Sequence, residues 1–111
     1  MEREISKEMH ERIVKGFLDM AIMAKLMDDN PMSGYDVITF VHKKFNTLLS
    51  SGTVYNVLYA LERNGLVRGM WNQRKRVYEL TDKGGKTIKV VFNLTEEIQN
   101  TVKLLIGSKV F

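Results

Sequence analysis

Side chains that could contact nucleic acid recur along residues 50–65, SSGTVYNVLYALERNG. If this stretch is helical, about 100° of rotation per residue places Asn56, Tyr59 and Arg63 on one stripe, with Thr53 and Tyr55 beside it. A helix exposed only to water normally presents charged side chains, whereas this stripe presents an amide, a phenol and a guanidinium. Such groups form hydrogen bonds with phosphates and base edges. The pattern therefore favours nucleic-acid binding over catalysis.

The opposite side of the same stretch predicts the helix that would position these groups. Its apolar residues follow the i, i+3, i+4, i+7 spacing of a buried helix face: Val54, Val57, Leu58 and Leu61. Ser50 or Ser51 can act as N-cap by accepting a hydrogen bond from the first free backbone N–H groups. Asn64-Gly65 supplies the left-handed residue that ends the helix. We therefore expect a short helix with two distinct faces.

Length and composition limit the remaining possibilities. The chain has 111 residues, 44% of them apolar, which suits one domain with one core. It has no cysteine, so a disulfide, a thiolate zinc site and a thiol nucleophile are excluded. Two histidines and no cysteine favour neither a metal site nor an enzyme, and we predict no cofactor. No apolar run reaches the roughly eighteen residues of a membrane span, and the charged first residues are unlike a secretory signal. We expect a cytoplasmic protein that does not enter membranes.

The net charge of +4 is unevenly distributed along the chain. Residues 1–36 carry a net charge of −3, residues 37–78 carry +6 and residues 79–111 carry +1. The positive charge therefore accompanies the two-faced helix. A local basic surface on a small domain is typical of a protein with a polyanionic partner.

Two helices are predicted before the central one. Alternating apolar spacing predicts a long first helix from about residue 5 to residue 27, ended by Pro31 and the polar residues before it. Ser33 can cap a second helix over residues 34–45. About four residues then separate it from the central helix, which is the spacing of a helix-turn-helix. Lys43 and Lys44, near the end of the second helix, are predicted phosphate contacts.

The period of the pattern changes after Gly65. Residues 66–71 and 76–80 are rich in β-branched and aromatic side chains and predict a β-hairpin, with residues 72–75 as its polar tip. Arg74, Lys75 and Arg76 at this tip are suited to phosphate contacts. The order helix, helix, helix, hairpin is that of a winged helix.

A last helix is predicted from the N-cap Thr81 to about Ile106. Together with the first helix it carries more apolar surface than one small domain can bury, so we expect both to form a homodimer interface. The expected interface residues are Phe17, Ile22, Ile88, Val91, Thr95, Ile98, Val102 and Leu105. The predicted fold is mostly α with a small β-hairpin: a winged helix-turn-helix with long N- and C-terminal helices forming a dimer. One domain would span residues 1–111, with the N-terminal helix in 1–28, the helix-turn-helix and wing in 33–80 and the dimerisation helix in 81–106.

Three segments resemble the PadR-like winged-helix transcriptional regulators. They are Pro31-Met32-Ser33-Gly34-Tyr35-Asp36, residues 51–67 with the start Ser51-Gly52-Thr53-Val54-Tyr55, and residues 76–84. Small archaeal regulators of the Lrs14-like type are similar in size and layout. The resemblance implies a homodimer that binds a palindromic promoter site, usually as a repressor and sometimes released by a small molecule. It also implies that Thr53 and Tyr55 contact DNA.

The sequence thus predicts a sequence-specific transcriptional regulator that binds double-stranded DNA. The predicted DNA-contacting residues are Lys43, Lys44, Ser51, Thr53, Tyr55, Asn56, Tyr59, Arg63, Arg74, Lys75 and Arg76. Asn56 is suited to adenine and Arg63 to guanine or phosphate. Two alternatives stay open: a chromatin protein that coats DNA without sequence preference, and a winged helix used for protein contacts. Whether a small-molecule effector exists is also open.

Overall fold

The structure, a computed structural model, describes residues 1–107. Six helices and three strands lie in that range: α1 (Glu2–Gly16), α2 (Leu18–Asp28), β1 (Met32–Ser33), α3 (Gly34–Phe45), α4 (Ser51–Arg63), β2 (Val67–Asn72), β3 (Lys75–Leu80), α5 (Asp82–Phe92) and α6 (Thr95–Ile106). The predicted winged helix-turn-helix is confirmed, with α3 and α4 as the helix pair and β2–β3 as the wing.

The three middle helices begin where the sequence places N-caps. The hydroxyls of Ser33, Ser50 and Thr81 each accept a hydrogen bond from a backbone N–H in the first turn of α3, α4 and α5. In α3 the Asp36 carboxylate also accepts from the Ser33 N–H, which completes a capping box. The chain leaves α4 through Gly65, which has a φ of 72° that glycine adopts at little cost.

The sheet has one strand more than predicted. Its order is β1-β3-β2, all antiparallel, with Met32 opposite Tyr78 and Trp71 opposite Arg76. Strand β1 has only two residues, too few to give a sequence pattern. The hairpin tip is also shorter than predicted, because Asn72 pairs with Lys75 and leaves only residues 73–74 in the turn.

One core lies between α2, α3, α4, α5 and the sheet. Its fully buried side chains include Leu18, Ile22, Leu26, Val37, Val41, Val54, Leu58, Val67, Tyr78 and Ile88. Burial of a large apolar side chain of this kind stabilises the fold by roughly 1.5–3 kcal/mol. The predicted dimer interface is therefore wrong for Ile22 and Ile88. Both side chains are buried in the core of a single chain and have no surface left for a partner.

Each predicted terminal helix is divided in two. The first breaks at Phe17, where φ is −111° and ψ is 17°, and the last breaks at residues 93–94 between α5 and α6. Gly16 and Asn93 at these breaks are poor helix formers. The breaks let α2 and α5 pack into the core, whereas α1 and α6 contribute no buried residue.

The molecule is elongated for its length. Its radius of gyration is 15.6 Å and its extents are 58 × 30 × 22 Å. A compact chain of this length would have a radius of gyration of about 13 Å. Among residues 1–107, no helix combines the length and the apolar character needed to cross a membrane.

Candidate nucleic-acid interface

The rotation of α4 about its axis is fixed by its buried face. Val54 and Leu58 have no exposed surface, and Leu61 is 3% exposed. Asn56 and Arg63 on the other side are consequently exposed, and within residues 1–107 neither side chain takes part in a hydrogen bond or ion pair. The predicted orientation of the helix is therefore confirmed. Its outer surface offers free amide and guanidinium donors of the kind that recognise base edges.

Two tyrosines connect this outer face to α3. Tyr59 is 45% exposed, and its ring centroid lies 5.9 Å from that of Tyr55. Tyr55 is half-buried, and its ring covers Gly34 so closely that a Cβ at Gly34 would lie 2.4 Å from the ring. Tyr55 thus holds the start of α3 against α4, while its neighbour Tyr59 remains available to a ligand.

The start of α4 is occupied by its own cap. The Thr53 hydroxyl lies 2.9 Å from the Ser50 hydroxyl, and the Thr53 N–H donates to the same oxygen over 3.2 Å. Thr53 is half-buried, whereas Ser51 is exposed as the first residue of the helix. Ser50, not Ser51, is the N-cap, so Ser51 keeps a free position at the edge of the outer face.

The wing is fastened to the C-terminal half of α4. The Glu62 carboxylate accepts a hydrogen bond from the Gly69 N–H of β2 and another from the Arg76 guanidinium of β3. Arg76 was predicted to contact phosphate together with Arg74 and Lys75. The structure separates it from them, because Arg76 is half-buried and paired with Glu62 while Arg74 and Lys75 are exposed near the tip.

Tyr78 lies beneath the same junction. Its side chain is fully buried, and its hydroxyl has no hydrogen-bond partner among the described residues. Burial raises the pKa of the Tyr78 phenol, so this group stays neutral under ordinary conditions. The Arg76 guanidinium lies 5.7 Å from the Tyr78 ring centroid, which places a cation over its face.

The two predicted lysines of α3 lie in different surroundings. Both are exposed. Lys44 lies over the rings of Phe40 and Phe45, at 5.7 and 5.8 Å from their centroids, and borders a groove beside Lys7 and His10 of α1. Both lysines also border the groove that contains the first turn of α3. Lys44 therefore lies between the groove at the start of α3 and the groove beside α1, whereas Lys43 borders only the first of these two.

Two exposed aromatic residues next to this surface were not predicted. Tyr35, in the first turn of α3, is 70% exposed, and Trp71, on β2, is 68% exposed. Trp71 shares a strand face with Val67 and Gly69. Its position nearer the hairpin tip, beyond the core, could have indicated that its side chain is exposed. Tyr35 lies two positions after the capping residue Ser33, and its side chain points away from the hydrophobic core.

The end of α4 is held by α5. The Lys83 ammonium donates to the Asn64 carbonyl over 2.8 Å, and the Thr81 hydroxyl lies 2.6 Å from the Gly65 carbonyl. Gly84 packs directly against the Leu66 carbonyl. These contacts anchor the C-terminal end of α4 to α5.

Within residues 1–107, no group of three His, Asp or Glu side chains is placed to hold a metal ion.

A helix-turn-helix with an exposed polar face on its second helix, flanked by a basic hairpin, defines the winged-helix class of DNA-binding proteins. The family model described as "Transcriptional regulator PadR-like family" matches residues 22–90, more than half of the chain. The chain therefore belongs to the PadR-like family of transcriptional regulators, whose members regulate transcription by binding DNA and are not enzymes.

Solved structures have the same fold over most of the chain. A PadR family regulator from Eggerthella lenta is 21% identical, covers 96% of each chain and has a TM-score of 0.76. A PadR-like regulator from Bacillus cereus is 22% identical over 88% of this chain and 99% of its own, with a TM-score of 0.71. A PadR family regulator from Clostridium difficile is 20% identical over 82% and 99% of the two chains, with a TM-score of 0.67. No curated protein sequence matches this chain significantly.

Proposed function

We propose that this PadR-like regulator is a sequence-specific repressor that binds a palindromic promoter site as a homodimer. The observation that carries the proposal is the exposed stripe of Asn56, Tyr59 and Arg63 on a helix whose rotation is fixed by its buried face. A protein that only coats DNA has no use for free base-reading groups at these positions. As a transcriptional regulator the protein would act where the chromosome is, so a cytoplasmic location remains part of the proposal.

The contacts with DNA would divide into two kinds. Helix α4 would enter the major groove, with Asn56 reading adenine and Arg63 reading guanine or a phosphate. Arg74 and Lys75 at the wing, with Lys43, would contact phosphates and set the register without reading sequence. Thr53, Tyr55 and Ser51 would lie at the edge of the groove and orient the helix.

The homodimer would be formed by the terminal helices. Ile5, Met9 and Ile13 form a stripe on α1 and are 51%, 41% and 54% exposed, while Leu105 on α6 is 80% exposed. A second copy would cover these apolar faces, because an isolated domain gains nothing from exposing them. Two copies would also present two α4 helices, as a palindrome requires.

Selection of bound fragments from a random DNA pool tests the proposal directly. A specific regulator should enrich one palindromic motif, whereas a coating protein should enrich none.

On the selected duplex, Asn56→Ala should cost roughly 1–3 kcal/mol of binding free energy on that duplex only, while Arg74→Ala should weaken binding to every sequence alike. If a dimer neutralises on the order of eight phosphates, log K should fall with log salt with a slope near −7. Mobility shifts in which both variants behave identically would contradict this division of roles.

A further inference from the structure

One acidic residue lies within the basic part of the chain. Between residues 37 and 78, seven basic residues are accompanied by a single acid, Glu62. It lies one turn after Tyr59 on α4, and therefore next to the surface proposed to bind DNA. A carboxylate at such a place repels phosphates and would weaken binding if it had no other role.

Glu62 connects the helix with both strands of the wing. Its Oε2 atom accepts from the Gly69 N–H over 3.0 Å and from Arg76 Nη2 over 2.8 Å. Gly69 belongs to β2 and Arg76 to β3, so one oxygen fixes two positions of the hairpin relative to α4. Charge-assisted hydrogen bonds of this kind are stronger and more directional than neutral ones.

Gly69 makes this contact sterically possible. A Cβ at Gly69 would lie 2.5 Å from Arg76 Nη2 and 2.7 Å from Glu62 Oε2. Any side chain there would occupy the space in which the carboxylate and the guanidinium meet. The strand thus lacks a side chain at the position where the Glu62 carboxylate contacts it.

The contact continues toward the tip of the wing. The Arg76 guanidinium lies 5.8 Å from the ring centroid of Trp71, which is its partner across the hairpin. Arg74 precedes Arg76 by two residues and lies in the turn. The direction in which Arg74 and Lys75 point from α4 therefore depends on the group formed by Glu62, Gly69 and Arg76.

We propose that Glu62 is a positioning residue for DNA binding: it fixes the wing on the recognition helix, so that wing and helix contact the duplex together. This proposal rests on the proposed DNA-binding function. It predicts the opposite change in DNA affinity from the one that charge repulsion alone would give. Removing a negative charge beside a polyanion should tighten binding, whereas loss of the wing position should weaken it.

Glu62→Gln separates the two effects. On the duplex selected from the random pool we expect this variant to bind on the order of tenfold more weakly than the parent. The salt slope should become shallower by about 2, because one wing phosphate is lost from each half of the dimer. A merely structural role for Glu62 would lower the unfolding midpoint without changing the salt slope of the folded fraction.

Glu79→Gln is the matched control. Glu79 is an acid on β3 of the hairpin, and it pairs with Arg68 on the face of the sheet opposite to Arg76. Its removal changes the net charge equally and leaves the Glu62 contact in place. We expect Glu79→Gln to bind as tightly as the parent or more tightly, with an unchanged salt slope.

Gly69→Ala disrupts the same group without altering any charge. It should reproduce the weaker binding of Glu62→Gln and its shallower salt slope. Trp71 is the only tryptophan of the chain, so its fluorescence emission maximum should shift in both variants but not in Glu79→Gln.

If the parent binds its selected duplex and folded Glu62→Gln binds it as tightly or more tightly, the positioning role is overturned while the proposed function stands. If the parent selects no sequence and binds no duplex, the proposed function itself fails, and the role of Glu62 with it.

Discussion

The central part of the molecule and its terminal helices are stabilised in different ways. In residues 18–92, α3, α4 and α5 each begin at a side-chain cap and each bury apolar residues. Helices α1 and α6 have neither a side-chain cap nor a buried residue. The central part therefore buries its apolar faces within one chain, whereas the terminal helices lack the buried apolar side chains that usually stabilise a helix.

The terminal helices nevertheless carry apolar faces. On α6, Leu104, Leu105 and Ile106 are 81%, 80% and 78% exposed. Such surface is costly in water and is common where another chain binds. The comparison indicates a division in the sequence: the middle specifies the winged-helix fold, and the ends carry the apolar surface through which we propose that two copies assemble.

The largest effect should follow from Gly84→Ala, which tests whether the central part depends on close contact between α5 and the end of α4. A Cβ at Gly84 would lie 2.1 Å from the Leu66 carbonyl oxygen, which is backbone and cannot turn aside. We expect this variant to lose about 3 kcal/mol of unfolding free energy, as overpacked sites do. Urea unfolding followed by circular dichroism measures the change.

The neighbouring glycine provides the control. A Cβ at Gly85 would meet only a methyl group of Leu80 at 3.8 Å, an ordinary contact. Gly85→Ala in the same helix should therefore stabilise the protein by roughly 0.5–1 kcal/mol. Equal stability changes in the two variants would contradict the role given to Gly84.

A smaller effect is expected at the terminal helices, where Leu105→Glu tests the assembly half of the comparison. A charge in the proposed dimer interface should raise the dissociation constant of the dimer by about 30-fold, equivalent to ~2 kcal/mol. Light scattering over a dilution series measures this change. The helix content of the central part should stay the same.

Lys103→Glu introduces the same acid on the same helix at a polar position. It should leave the mass unchanged at micromolar concentration. A parent protein that is already monomeric there would remove the dimer from the proposal and leave the exposed residues of α6 without an explanation.

The features predicted from the sequence are those with local causes. Ser33, Ser50 and Thr81 act as N-caps because each directly precedes the helix that begins after it, and Asn64-Gly65 ends α4 because it directly follows that helix. The exposure of the outer face of α4 also follows from spacing alone. Family membership follows from the same central segment, since the family model matches residues 22–90.

The features that were missed depend on contacts between distant residues. Strand β1 forms because Met32 and Ser33 pair with Tyr78 and Val77, more than forty positions later. Arg76 bonds to Glu62, which lies 14 positions away in sequence, and so does not act as a free residue of the wing tip. The break at Phe17 separates two helices whose combined apolar spacing looks continuous in sequence. No local pattern distinguishes an apolar residue that faces the chain's own core, such as Ile88, from one that faces a partner.

The smallest predicted effect concerns the capping box of α3 and its dependence on pH. The backbone N–H of Ser33 donates to the Asp36 carboxylate and holds the pKa of Asp36 below its ordinary value. The folded state therefore favours the charged form, and this contribution is complete above about pH 4 and is lost as pH falls through the lowered pKa. Asp36→Asn should cost about 0.5 kcal/mol at pH 7, given the partial solvent exposure of the group, and less at pH 2. Ser33→Ala removes the other half of the box, whose hydroxyl does not titrate, and should lower stability equally at both pH values. Parallel pH profiles for the two variants would mean that Asp36 contributes no charge-dependent stability to this helix.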